Sequence, residues 1–225
     1  IEGEDKAVLI DTGTRCADLD KIVGQITGKP LEVIVTHMHP DHAGCIKYFD
    51  KVWMHRADTV LVPQHAADYQ GEFLYMEEGQ VFDLGGRKLE VAWMPGHTPG
   101  SVVLLDKANG DCYSGDAFGS GEVWLQCVPM SPIATFHESC CRMEKLMKEG
   151  HIKDIWCGHY PYLKSSLPLA YIQTMIRISH RLMNGDQEGS EPYSNYFIKM
   201  PPTARKLAEG RAMIVYDSTN IPEAR

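Results

Sequence analysis

A six-residue stretch of the chain carries three histidines and one aspartate: His37, His39, Asp41 and His42. Imidazole and carboxylate groups are the ligands that divalent transition metals take in proteins. Four such groups are costly to hold this close together unless a cation lies among them. The stretch follows an apolar, β-branched run at 31–35 that predicts a buried strand. We therefore predict a metal site on the loop that follows this strand, rather than a histidine-rich surface loop.

Three further candidate ligands each stand on a turn that contains glycine or proline. His97, Asp116 and His159 all follow runs that predict strands. One such residue alone is more often a hydrogen-bonded loop residue than a ligand. Together with the first stretch, however, the set reaches five histidines and two aspartates. This set suits two metal ions about 3.5–4 Å apart, which is the spacing of two-metal hydrolytic sites.

Strands and helices alternate around these residues. Apolar and alternating runs predict strands, and apolar positions at helical spacing predict amphipathic helices. The segments 120–136 and 184–204 show no clear period and are predicted to be irregular. The segment 55–80 is either a flap over a pocket or a helix with loops that has no role in the chemistry. The predicted strands are 6–10, 31–35, 52–54, 81–84, 88–93, 102–106, 111–114, 154–157 and 212–216, and the predicted helices are 15–27, 44–49, 137–148 and 167–183.

The length and composition of the chain limit its organisation and partners. Its 225 residues, 44% of them hydrophobic, suit one domain over residues 1–225. The net charge of −8 argues against a nucleic-acid partner, because phosphates repel an acidic surface. No apolar run approaches the roughly 18 residues that a membrane span needs, and no signal peptide is recognisable. We expect a cytoplasmic protein with a small-molecule substrate, and a homodimer is left open.

The seven cysteines do not form a recognisable framework. Their number is odd, and no two are spaced as Cys-x-x-Cys. This pattern argues against a set of disulfides and against a thiolate zinc site. We expect reduced thiols.

The ordered motifs resemble those of the metallo-β-lactamase superfamily. They are His-x-His-x-Asp-His at 37–42, Gly-His-Thr-Pro-Gly at 96–100, Gly-Asp-Ala at 115–117 and Gly-His at 158–159. The resemblance covers roughly residues 7–160 and the last predicted strand. It implies an α/β fold, a four-layer αββα sandwich with the metal site at one edge between the two sheets.

The resemblance also implies a role for each candidate ligand. A first metal ion would be held by three histidines and a second by one aspartate and two histidines. A second aspartate would bridge both ions, and the two aspartates would be the catalytic residues. The first metal ion would be held by His37, His39 and His97 and the second by Asp41, His42 and His159, and Asp116 would bridge both.

The function implied is that of a metal-dependent hydrolase. Two divalent ions, expected to be zinc with iron or manganese as alternatives, would hold a metal-bridging hydroxide as the nucleophile. The motifs are most similar to the glyoxalase II and lactonase branch, although Ser101 stands where histidine is frequent. The substrate expected is a small ester, thioester, lactone or lactam. The alternative is an iron-dependent enzyme similar to persulfide dioxygenases, followed by a phosphodiesterase or nuclease and by a non-catalytic metal-binding protein.

Four aromatic residues are candidates for the substrate pocket. His137 and Trp124 border a stretch rich in proline and aromatic residues, which suits a pocket wall. Tyr160 and Tyr162 follow the candidate ligand His159, and a phenol there would be able to donate to a developing oxyanion. Packing against the rest of the fold is the alternative for each.

Overall fold

The computed structural model describes residues 1–160, 164–196 and 198–222. The strands are β1 (Ala7–Ile10), β2 (Leu31–Ile34), β3 (Lys51–His55), β4 (Glu72–Met76), β5 (Val81–Asp83), β6 (Lys88–Trp93), β7 (Val102–Asp106), β8 (Asp111–Gly115), β9 (Glu122–Trp124), β10 (Asp154–Cys157), β11 (Glu191–Pro192), β12 (Ala204–Glu209) and β13 (Ala212–Asp217). The α-helices are α1 (Leu19–Ile26), α2 (Pro40–Ala43), α3 (Val62–His65), α4 (Ile133–Lys148) and α5 (Leu169–Met183). Short 3₁₀ helices cover Ile46–Tyr48, Arg56–Leu61 and Ser218–Asn220.

Within this described part, the strands form three sheets. The first has the order β1-β2-β3-β4, and all of its strands are parallel. The second has the order β10-β8-β7-β6-β5, in which only the β10–β8 pair is parallel. The third has the order β11-β12-β13-β9.

The buried side chains show how these elements are layered. Alternate residues of β7 face opposite sides: Val102 and Leu104 pack against the first sheet, whereas Val103 and Leu105 pack against α4 and α5. The outer face of the first sheet is covered by α2 and the 3₁₀ helices, through residues such as Ile46 and Leu61. The order of layers is therefore helices, sheet, sheet, helices, as the αββα expectation required. The third sheet packs on the same core as α4 and α5.

The strand ends explain why the candidate ligands meet. The carboxyl ends of β8 and β10 lie side by side because these strands are parallel, and β7 begins beside them because it runs antiparallel to β8. The loops after β2, between β6 and β7, after β8 and after β10 therefore open at one edge of the two sheets. A hydrogen bond of 3.0 Å from the Val102 amide to the Thr36 carbonyl joins the sheets there.

Several elements differ from those predicted. The segments predicted to be irregular contain β4, β9, β11 and the start of β12, which are short or polar strands without a long alternating run. The helix α4 begins at Ile133 rather than His137, and α1 begins at Leu19 rather than Arg15.

The apolar face predicted for α1 is only partly buried. Val23 packs inside, but Ile22 is 42% exposed and Ile26 is 75% exposed. Among the described residues, the helices include none that is long and apolar enough to cross a membrane.

Candidate metal centre

Three histidines from two loops form the first cluster. His37 and His39 follow β2, and His97 lies between β6 and β7. Their candidate ligand atoms lie within 4.8 Å of one another. Nδ1 of His39 is 2.9 Å from Nε2 of His97, so two nitrogens that ordinarily bind metal or a proton face each other directly. We find here the three histidines that the resemblance assigned to the first metal ion.

Two carboxylates and two histidines form the second cluster. Asp41 and His42 belong to α2, Asp116 follows β8, and His159 follows β10. Nε2 of His159 is 3.0 Å from Oδ2 of Asp116 and 3.3 Å from Oδ2 of Asp41. Nε2 of His42 is 3.4 Å from the same oxygen of Asp116.

Asp116 lies between the two clusters. Its Oδ2 atom approaches the second-cluster histidines and is also 3.9 Å from Nε2 of His97 in the first cluster. The rings of His37 and His42, one from each cluster, have centroids 4.1 Å apart. The structure therefore brings all seven predicted ligands together, with Asp116 between the two clusters.

Hydrogen bonds on the outer side of three histidines fix which ring nitrogen faces inward. Nδ1 of His97 donates to the Trp124 carbonyl at 2.7 Å, and Nδ1 of His42 donates to Asp11 at 2.6 Å. Because the Thr36 hydroxyl donates to Asp11, its oxygen accepts from Nδ1 of His37 at 3.1 Å. In each ring Nε2 is therefore the nitrogen that points into the centre, which is the arrangement of metal-ligating histidines.

Unpartnered polar atoms show that the two clusters fit metal ions. Nε2 of His37, Nε2 of His42 and Oδ1 of Asp116 are buried without a hydrogen-bond partner among the described residues. Buried polar atoms are almost always hydrogen-bonded, so three in one place call for another ligand. Nitrogen and oxygen donors of this kind suit zinc, iron and manganese.

The two clusters differ in electrostatics. In the first, burial and the neighbouring imidazoles lower the pKa of His37 well below its ordinary value and that of His39 to about 3. In the second, hydrogen bonds to Asp116 and Asp41 raise the pKa of His159 to about 10. Burial raises the pKa of Asp116, but the hydrogen bond from His159 and the nearby His42 ring outweigh it and hold this pKa well below the ordinary range.

Two glycines allow the loops to approach the ligands. A Cβ atom on Gly158 would lie 2.5 Å from Cε1 of His42 and 3.0 Å from Oδ1 of Asp116. Gly115 has a φ of 48°, and a Cβ atom there would overlap the Thr36 hydroxyl. Both positions require a residue without a side chain.

Two aspartates support the centre without being predicted from the sequence. Asp11, at the end of β1 with a φ of 60°, accepts from His42, from the Thr36 amide at 2.7 Å and from the Thr36 hydroxyl at 2.9 Å. Asp58, in the second 3₁₀ helix, accepts from backbone groups of two ligand loops. The sequence indicated Asp11 only as a turn residue, and no motif pointed to Asp58.

A third residue beside the centre, which is not among the candidate site residues, is His65 of α3. Its ring centroid is 5.8 Å from that of the first-cluster histidine His39, in an edge-to-face arrangement. Part of the segment 55–80 therefore borders the centre, instead of being only a helix with loops.

A cavity of about 380 Å³ opens onto the second cluster. This volume is in the range of small-molecule sites. Its walls include Asp41, His42 and His159 together with Tyr113 and Trp156.

The predicted substrate residues lie in different places. Trp124 contacts the centre through its backbone carbonyl, while its indole nitrogen donates to Glu122 at 3.0 Å. Tyr160 is 42% exposed, next to His159. His137 is held away from the clusters, between α4 and α5, because its Nδ1 lies 2.9 Å from the Ser179 hydroxyl. Tyr162 lies outside the described residues.

Known proteins resemble the chain in sequence and in structure. Human acyl-coenzyme A thioesterase MBLAC2 is 26% identical over 199 residues, covering 71% of this chain and 71% of that protein. Hydroxyacylglutathione hydrolase of Aeromonas salmonicida is 27% identical over 176 residues, covering 76% of this chain and 63% of that protein. The crystal structure of TTHA1623 in a di-iron-bound form aligns with a TM-score of 0.57 at 27% identity, covering 72% of this chain and 84% of that one.

The family profile described as "Metallo-beta-lactamase superfamily" matches residues 1–137, which is more than half of the chain and contains the first cluster and α2. The layered fold with its site at one edge of two sheets agrees with this match. From profile, fold and site together, the chain belongs to the metallo-β-lactamase superfamily.

Proposed function

We propose that this protein is a metal-dependent hydrolase that cleaves thioesters with two divalent ions. The observation that carries the proposal is the pair of clusters that share Asp116, with three buried polar atoms that lack partners among the described residues. The relatives supply the substrate class, since one is a thioesterase by name and another hydrolyses hydroxyacylglutathione.

Seven residues would hold the two ions. His37, His39 and His97 suit the first ion, and Asp41, His42 and His159 suit the second, with Asp116 between them. When bound, such ions supply a water of lowered pKa as the nucleophile and polarise the carbonyl oxygen of the substrate. We propose zinc as the native metal, while TTHA1623 in its di-iron-bound form shows that a similar protein takes iron.

The protein's own groups complete the chemistry. The pKa values of Asp41 and Asp116 are lowered, mainly because hydrogen bonds from His159 outweigh the effect of burial. Both are therefore carboxylates at neutral pH, and Asp41, which lines the cavity, accepts a hydrogen bond from attacking water. Hydrolysis breaks the carbon–sulfur bond and releases a thiolate. Because a free thiol has a pKa of about 8.5, this leaving group needs no general acid near neutral pH.

Asp116→Ala tests the proposal most directly. The variant removes the carboxylate shared by both clusters, and we expect it to abolish turnover and to lower the metal content below that of the wild type. Metal content would be measured by elemental analysis on protein purified without added metal. Activity would be measured on acyl-coenzyme A and hydroxyacylglutathione thioesters, a lactone and a chromogenic β-lactam.

Two outcomes would contradict the proposal. Unchanged thioester hydrolysis by Asp116→Ala would remove Asp116 from the mechanism. A wild-type protein that holds one equivalent of iron, hydrolyses none of these substrates and consumes oxygen with a persulfide would be an iron oxygenase instead.

A further inference from the structure

Asp58 is a buried carboxylate that is not one of the seven ligands. Only 1% of its surface is exposed. It lies in the 3₁₀ helix Arg56–Leu61, which follows β3 and packs over the outer face of the first sheet. A buried carboxylate is costly to remove from water unless hydrogen bonds or opposite charges compensate it.

Each hydrogen bond of Asp58 goes to a loop that carries first-cluster ligands. Oδ2 accepts from the amide of Met38 at 2.9 Å, and Met38 stands between the ligands His37 and His39. The same oxygen accepts from the Thr98 hydroxyl at 2.9 Å, and Thr98 directly follows the ligand His97. One carboxylate thus ties together the two loops that supply all three histidines of the first cluster.

The other carboxylate oxygen fixes the turn beyond His97. Oδ1 accepts from the amide of Gly100 at 2.6 Å. A Cβ atom on Gly100 would lie 2.6 Å from Cγ of Asp58, so the turn approaches this closely only because residue 100 is glycine. The Ser101 hydroxyl accepts from the Thr98 amide at 3.0 Å and lies 2.9 Å from the Thr98 hydroxyl, which closes the network.

The second cluster depends on a different carboxylate. Asp11 supports it through His42, whereas the bonds of Asp58 reach His37, His39 and His97 only through their loops. Asp11 also touches the first cluster, because it bonds to Thr36, whose hydroxyl accepts from His37. Among the described residues, no bond of Asp58 goes to a second-cluster residue, so the loss of Asp58 acts on the first cluster.

We propose that Asp58 is a positioning residue that holds the two first-cluster loops at the separation required for metal binding. The proposal rests on the dinuclear centre proposed above. It predicts that the loss of the Asp58 carboxylate weakens metal binding at the first cluster and leaves the second cluster intact.

The test is Asp58→Asn, which keeps the shape of the side chain. If the side-chain oxygen of the new asparagine takes the place of Oδ2, its side-chain NH2 group faces the backbone N–H of Gly100. Two hydrogen-bond donors then meet in a buried position. Zinc binding to metal-free protein would be measured by competition with a chromophoric chelator. We expect the affinity of the first cluster to fall about 10–100-fold, the usual effect of losing a group that orients ligands.

Single-cluster variants assign the two binding steps. His97→Ala retains the second cluster and His159→Ala retains the first, so Asp58→Asn in each background shows which cluster it weakens. Thr98→Val removes one donor to Asp58 and should give a smaller loss in the same direction. This variant keeps the proposal testable if Asp58→Asn does not fold.

Asp106→Asn is the matched control. Asp106 is also fully buried and hydrogen-bonded, to Arg87 at 2.7 Å and Asn109 at 2.8 Å, but it lies at the far end of β7 from His97. We expect it to lower the thermal stability of the metal-free protein without changing either zinc affinity. If Asp58 had only a structural role, Asp58→Asn would likewise lower the thermal stability and leave both zinc affinities unchanged.

The outcomes separate this inference from the proposed function. A wild-type protein that binds two zinc ions, with an Asp58→Asn variant that binds both as tightly or loses both equally, would overturn the role of Asp58 alone. A wild-type protein that binds no zinc at these residues would overturn the dinuclear centre itself.

Discussion

Replacing Gly158 with alanine should remove the second metal ion while leaving the first. The new Cβ atom would lie 2.5 Å from Cε1 of His42 and 3.0 Å from Oδ1 of Asp116. The backbone of Gly158 is outside the left-handed region, so alanine causes no backbone strain there. The effect therefore comes from contact with two second-cluster residues alone.

The size of the effect follows from these distances. Carbon atoms pack at about 3.5–4.0 Å, so the His42 ring must move by about 1 Å or more. The ring does not swing away freely, because it is buried and its Nδ1 bonds to Asp11 at 2.6 Å. Metal–ligand distances usually stay within about 0.2 Å of their ordinary values, so a displacement of this size is incompatible with ligation by His42. Overpacking of this kind also destabilises a fold by about 1–3 kcal/mol.

The assay combines metal analysis with thermal unfolding. If the wild type binds two zinc ions as proposed, we expect Gly158→Ala to bind one equivalent and to lose the proposed thioesterase activity. Gly24→Ala is the control, because Gly24 lies in α1 with no atom within 4 Å of the added Cβ, and it should raise stability by about 0.5–1 kcal/mol. A Gly158→Ala variant that binds two zinc ions with wild-type affinity would refute the close approach of this loop to His42.

Four further outcomes are expected. Asp11→Asn should weaken zinc binding at the second cluster about 10–100-fold in the chelator competition, because the neutral amide no longer supports the imidazolate character of His42. Since the pKa of His159 is raised to about 10 and that of His42 well above its ordinary value, zinc binding to the second cluster should release protons near pH 7, whereas the first cluster, whose histidine pKa values are lowered, should release none. Calorimetry in two buffers of different ionisation enthalpy measures this difference, and equal release at both clusters would contradict it. Because the pKa of His159 is higher in the folded protein, protonated His159 stabilises the metal-free fold fully below its ordinary pKa of 6.5. This contribution to the free energy of unfolding is lost as the pH rises toward about 10. All seven cysteines are unpaired, so a thiol reagent should label the exposed Cys141 first in the native protein and seven thiols after unfolding; fewer than seven would indicate a disulfide.

The first half of the metal centre could be predicted because its signal is local. His37, His39, Asp41 and His42 fall within six residues, directly after an apolar run that forms β2. The remaining ligands, His97, Asp116 and His159, were recognisable as single residues on turns after strands. Only the order of all these motifs, resembling that of a known superfamily, joined them into one site.

The supporting residues had no such signal. Asp58 acts on the ligand loops through hydrogen bonds from residues 20, 40 and 42 positions away, and two of these donors are backbone amides of Met38 and Gly100. A backbone donor is present at almost every residue, so no spacing of side-chain types reveals the contact. The same reason hid the contact of His97 with the Trp124 carbonyl.

The sequence by itself determined the chemistry of the centre, that is, which imidazoles and carboxylates stand on loops at strand ends. Only the tertiary structure decided which residues lie at the centre and which of their atoms face it. It placed His65 beside His39 and turned His137 toward α5, although both are isolated histidines along the chain. The physical reason is that metal ligation depends on distances of a few ångströms between residues far apart in sequence. Those distances are fixed by how the two sheets pack together and not by local pattern.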